Sequence, residues 1–262
     1  MSVSAAPFEA ELDAVDVARR AGQLIWDARL RVWPYVVGLA AVTAGVRWVA
    51  WQYGLAGGED GYHFHEGETL AEFARHGAWL AGRALVTGLA LAMTLRALLG
   101  VAQPWRPDRG LFVATAIYVG AAIVPLGLFL PTVLVFQANS LAVIPLGVAT
   151  ALGGAFALMA YAWFALRLVI WPVGAAAGDP AMTAGRAWQA MVGARLAWLL
   201  AGVLLVLPLL FGAGFAQAIV ANVTGVRAWG PSVWEAPLHA LAVLLWLAVS
   251  AVVYRRRAGL DA

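Results

Sequence analysis

The sequence predicts an all-α, polytopic membrane helix bundle, and three observations carry that prediction. The 262 residues are 63% hydrophobic and only 12% charged, whereas soluble domains sit near half apolar and a quarter charged. Mean hydropathy is +0.81, and the apolar residues come in blocks of about 20, the length a helix needs to cross a bilayer. The arginines gather at the ends of those blocks. So little charge leaves too little polar surface for a water-soluble globule of this size.

The composition also excludes several kinds of chemistry. Cysteine is absent, so there is no disulfide framework, thiolate metal site or cysteine nucleophile. All 17 basic residues are Arg. They are spread thinly, so the pI near 9.7 is not read as a nucleic-acid footprint. An excess of Ala, Gly, Arg and Trp without Lys points to a GC-rich bacterial genome, hence to a bacterial cytoplasmic (inner) membrane.

The chain opens on acids, Glu9, Glu11, Asp13 and Asp16, and its first apolar run starts only at Val32. That order does not fit a signal peptide, which needs a basic start. Instead Asp16, Arg20, Gln23, Asp27 and Arg31 recur at helical spacing, opposite Ala14, Val17, Ala18, Ala21, Ile25 and Ala28. Residues 1–31 are therefore expected to form an amphipathic cytoplasmic helix lying in the interface.

Six spans follow in a domain from 32 to 254. They run roughly Val32–Leu55, Ala78–Ala102, Leu111–Phe136, Leu141–Ile170, Leu196–Val220 and Ala236–Tyr254. The third and fourth come from one uncharged stretch, Gly110 to Leu166, too long for a single crossing, with Gln137 to Ser140 as the expected turn. Pro125, Pro131, Pro145 and Pro208 should kink their spans locally. An outer loop covers 56–77. Between the fourth and fifth spans the chain reads as a cytoplasmic elbow and surface helix, 173–195. Gly174 to Asp179 is the bend and Asp179-Pro180 the helix start. Residues 255–262 form a cytoplasmic tail.

Cytoplasmic loops carry the excess of Arg. With the N-terminus inside, only Arg47, Arg75, Arg83 and Arg227 of the 17 fall outside, so both termini are expected in the cytoplasm. A short internal match pairs Arg20-Ala21-x-Gln23 and Ala28-Arg29-Leu30 with Arg186-Ala187-x-Gln189 and Ala194-Arg195-Leu196. It reads either as a same-direction duplication or as coincidence in an Ala/Arg/Leu-rich chain.

The stretch Tyr161-Ala-Trp-Phe-Ala-Leu-Arg167-Leu-Val-Ile-Trp-Pro172, followed by Gly178-Asp179-Pro180 and Gly185-Arg186-Ala187-Trp188, resembles a group of bacterial six-span membrane proteins. That group includes the membrane domain fused to some glycerophosphodiester phosphodiesterases. The likeness covers about residues 155 to 200 and the overall layout. It lies in the membrane part alone, so it implies a membrane module and no hydrolase activity.

Three groups of residues are candidates for chemistry. His63-x-His65-Glu66-x-Glu68 offers imidazoles and carboxylates of the kind that hold a divalent metal, or else is a solvated acidic loop. Arg47, Arg83 and His239 fall within about 5–10 Å of the outer face by helical rise. There they meet an anion, either a lipid headgroup or the Glu59–Glu72 loop, or they snorkel separately to water. Arg96, Arg167, Arg186 and Arg195 stand at the inner face, as contacts for anionic headgroups or as plain topology-setting charge. No Asp or Glu lies inside a predicted span, and no zinc-protease, nucleophile-elbow or phosphate-loop motif occurs. The expectation is a non-catalytic scaffold, assembly or lipid-contacting module that is not an enzyme and needs no cofactor. Its partners are membrane lipids, another membrane protein or itself, and no nucleic acid. The alternative is a small transporter or flippase-like channel for an anionic or amphiphilic solute.

Overall fold

The computed structural model describes residues 12–53, 70–139, 146–224 and 230–260. Over these the chain is helix and turn, with no strand. Eight helices follow in order: α1 (Ala14–Tyr53), α2 (Leu70–Leu99), α3 (Arg109–Asn139), α4 (Leu146–Leu168), α5 (Trp171–Ala177), α6 (Ala184–Ala190), α7 (Arg195–Thr224) and α8 (Gly230–Arg257). Five stretches of the described residues are long and apolar enough to cross a membrane, and α3 carries a shorter one, Arg109–Val124.

Helix α1 starts at Asp13, whose carbonyl accepts from the Val17 N–H and whose carboxylate accepts from the Val15 N–H, a side-chain N-cap. From there α1 runs for 40 residues, through Pro34, about 60 Å or twice the apolar thickness of a bilayer. The expected boundary between a surface helix and a first span near residue 31 is therefore absent. Its physical reason is a buried stripe, Val17, Ala21, Leu24, Ala28, Val32, Val36 and Leu39, that continues in helical register across the proposed joint. The apolar face of residues 14–31 is buried in the bundle core rather than laid flat on a surface.

Helix α1 packs on α8, α2 and α7; α2 packs on α3, and α3 on α4. Of the five long apolar stretches, the one in α8 is the most enclosed. Two ion pairs fix α1 and α8 antiparallel. Asp16 at the start of α1 meets Arg256 at the end of α8, and Arg47 near the end of α1 meets Glu235 near the start of α8. The first pair marks the end of the molecule where most arginines gather; we call it the basic end.

The elbow differs from its sequence reading. Gly174 to Ala177, expected as a bend, is helical: α5 opens with Pro172 in its first turn and closes at Gly178. Residues Pro172 to Ala176 are buried, and α5 wedges against α2, α3 and α8. Glycine at 174 is required because a Cβ there would overlap the Met182 side chain. The bend lies later, at 178–183, and the surface helix shrinks to the seven residues of α6. Its cap is the Thr183 hydroxyl, which accepts from the Arg186 N–H at 3.2 Å. Gln137 to Asn139, expected in a turn, belong to α3, and Ser140 lies outside the described residues. The two copies of the short internal match also differ: the first lies within one helix, while the second is broken after α6 at Gly193, whose φ of +77° suits glycine alone.

Candidate functional site

At the basic end the termini of α1, α2, α3 and α8 are tied to a neighbour by charge. Helix α2 ends with Gly100 at φ +83°. The Gly100 and Val101 N–H groups return to the Ala97 and Arg96 carbonyls, which closes the helix in a left-handed turn. The Arg31 guanidinium from α1 lies over Gly100, and its Nε donates to the Ala97 carbonyl at 3.0 Å. A cation is thus placed on the negative end of α2.

Arg96 is 3% exposed and grips Asp108 with both Nη atoms. Asp108 also caps α3, accepting from the Leu111 N–H at 2.9 Å. The Arg96 hydrogen bond first, and then the Leu111 N–H, hold the Asp108 carboxyl well below the usual carboxylate range. This arginine, expected as a headgroup contact or as topology-setting charge, has both Nη atoms on a carboxylate of the chain, while its buried Nε has no hydrogen-bond partner. Asp16 gathers three arginines, Arg19, Arg20 and Arg256. Asp179 accepts from the Tyr254 hydroxyl at 3.0 Å and from the Ala181 N–H at 2.8 Å, so it locks the bend onto the end of α8. Between the ends of α2, α5 and α8 lies a cavity of about 230 Å³, bordered by Gly100, Ala177, Tyr254 and Arg255. Arg186 is exposed, and its charge acts on Tyr254.

Arg167 and Arg195 come together. Arg167, at the end of α4, is held between two indoles, 4.8 Å from the Trp163 ring centre and 4.6 Å from that of Trp188 on α6. Arg195, the first residue of α7, lies 5.4 Å from the same Trp163 ring. Cation–π contact of this kind is worth roughly 0.5–2 kcal/mol. Phe164 packs on Trp188 with ring centres 5.8 Å apart and joins α4 to α6. Among the described residues no carboxylate forms an ion pair with either arginine, and the buried Nε of Arg167 has no hydrogen-bond partner.

At the opposite end, Arg47 pairs with Glu235 at the start of α8; loop residues 59–69 lie outside the described residues. The charges of Arg47 and Arg83 both act on His239. Among the described residues Arg83 has no ion pair. His63, His65 and Glu66 lie outside the described residues. Among those that are described, no three His, Asp or Glu side chains are grouped as metal ligands.

The sequence could have revealed one of these arrangements. Asp108 stands just before a helix of apolar residues, as an N-cap does, and twelve residues after Arg96. The Glu235 partner of Arg47, 188 residues away, left no local signal. No family model, no curated protein and no solved structure matches the chain.

Proposed function

We propose that the chain is a six-span bacterial inner-membrane protein with both termini in the cytoplasm. We propose further that it acts as a non-catalytic, lipid-contacting scaffold module whose working surface is its periphery. Helices α1, α2, α3, α4, α7 and α8 are the spans, and α5 and α6 lie at the cytoplasmic face. The basic end supports this orientation, because cytoplasmic loops hold the excess of Arg.

The observation that carries the reading is the filling of the centre. The core between the two charged ends is built from Ala, Leu and Val, such as Ala92, Leu95, Leu244 and Ala248. Among the described residues only Thr94, Arg96, Thr115 and Ser250 are buried polar side chains. Thr94 and Ser250 return their hydroxyls to their own helices, at Ala90 and Trp246, and Arg96 belongs to the basic end. A translocation path needs polar groups facing a water-filled route. The outward faces, by contrast, are broad and apolar, as on α7 with Leu196, Leu200, Val203 and Leu207 exposed; contiguous exposed apolar surface marks contact with lipid or protein.

The absence of native cysteine makes the test clean. Single Ala92→Cys, Leu244→Cys and Ala248→Cys variants, treated in intact vesicles with a membrane-impermeant maleimide, should stay unlabelled until the protein is denatured. An Arg83→Cys control should label from the outside. Labelling of the buried positions as fast as the control would favour the alternative, a small transporter or flippase-like channel.

A further inference from the structure

We infer that Arg167 and Arg195 form a headgroup site for one anionic phospholipid, whose acyl chains run along the apolar faces of α4 and α7. This inference rests on the membrane-module reading above and gives it a specific ligand class.

The first ground is electrostatic. Both guanidinium groups lie against one indole, so their separation cannot exceed about 10 Å, the sum of their distances to the Trp163 ring, which is close to one Debye length. Arg195 also occupies the first position of a 30-residue helix, where the macrodipole disfavours a cation. Arg195 at a positive helix end and Arg167 in the last turn of α4 have no carboxylate partner among the described residues, so the counter-charge of Arg195 is assigned to an anion from outside the chain. Guanidinium groups match phosphate oxygens in geometry.

The second ground is what surrounds the charges. Trp163 and Arg167 stand in the last two turns of α4 and Trp188 on α6, and indoles concentrate at the headgroup level of a bilayer. On α4, Phe156, Met159 and Trp163 are exposed; on α7, Leu196, Leu199 and Leu200 are. Among the described residues α4 and α7 are not a pair that packs along its length, although Arg195 reaches Trp163 at their basic ends. The two helices therefore leave apolar surface beside the arginines, and a phosphate at the arginines would place acyl chains against it. Three other arginines of this end are engaged within the chain: Arg96 with Asp108, Arg31 with the end of α2, and Arg256 with Asp16.

The test is native mass spectrometry of the full chain released from bilayer discs of phosphatidylglycerol and phosphatidylcholine in equal amounts. Wild-type protein should retain one phosphatidylglycerol in preference to phosphatidylcholine. Arg167→Gln and Arg195→Gln should each reduce that preference about fivefold, the worth of one arginine near a lipid surface. Arg106→Gln/Arg109→Gln, exposed arginines at the same end, should leave it unchanged. Wild-type protein with no preference overturns the site whether or not the variants fold. Equal retention by the Arg167→Gln/Arg195→Gln variant also overturns it. So does millimolar inorganic phosphate that displaces the lipid without loss of thermal stability, which assigns the arginines to a soluble anion. A dimer that the same substitutions split overturns it too, in favour of a second copy of the chain. None of these results bears on the cysteine-accessibility test of the dry core, so the two readings fail separately.

Discussion

Two residues show how much hangs on single side chains. Asp108 holds the only carboxylate paired with the buried Arg96 among the described residues. Its removal leaves a buried guanidinium uncompensated. Because Asp108 itself is 42% exposed, Asp108→Asn should cost about 2–3 kcal/mol at neutral pH, less than the roughly 3–5 of a fully buried pair. The sign with pH follows from the direction of the shift. A carboxyl held below its ordinary value of 3.8 contributes stability that is complete above that value. That contribution is lost as pH falls toward the lowered one. Thermal unfolding in detergent from pH 7 downward should therefore show an acid-labile step below about pH 4 in wild type that is smaller in Asp108→Asn. Gly202 is the second case. A Cβ there would overlap the Trp246 ring, which packs on Trp198 at 4.6 Å, while the Trp198 Nε1 donates to the Ser250 hydroxyl at 3.0 Å. Gly202→Ala should lower stability by about 1–3 kcal/mol through overpacking of α7 on α8, read as a fall in Tm.

At the scale of elements, antiparallel α1 and α8 form the spine, pinned at both ends by ion pairs. The Arg47–Glu235 pair is partly exposed, 37% and 41%, so a double-mutant cycle with Arg47→Gln and Glu235→Gln should give a coupling of about 0.5–1 kcal/mol. Exchange of the two charges should recover most of it. The long helices were legible in the sequence because each is an apolar run ended by Arg, Gly or a polar turn. The continuity of α1 was not. A change from amphipathic to uniformly apolar composition suggests a joint, whereas the buried stripe that removes the joint depends on α8, more than 180 residues further on. Helix α5 was hidden for a similar reason. Gly174 and three alanines carry little helical or apolar signal, and burial between α2, α3 and α8 is what makes them helix. Charge counting groups Arg96, Arg167 and Arg195 together, but it cannot tell an arginine held by Asp108 from two that share an indole.

For the molecule as a whole, the placement of polarity is the main result. Ion pairs and capped helix ends collect at the two ends, alanine and leucine fill the centre, and the outside is apolar over long faces of α4 and α7. A water-soluble bundle would reverse the last of these, because its exposed helix faces carry charge. The most direct measurement is paramagnetic accessibility of a nitroxide at Leu204→Cys, an exposed position in the middle of the outward face of α7, with the protein in lipid vesicles. Oxygen, which concentrates in hydrocarbon, is expected to relax the label far more than a water-soluble nickel chelate. Stronger relaxation by the nickel chelate would place that face in water and contradict the membrane-module reading.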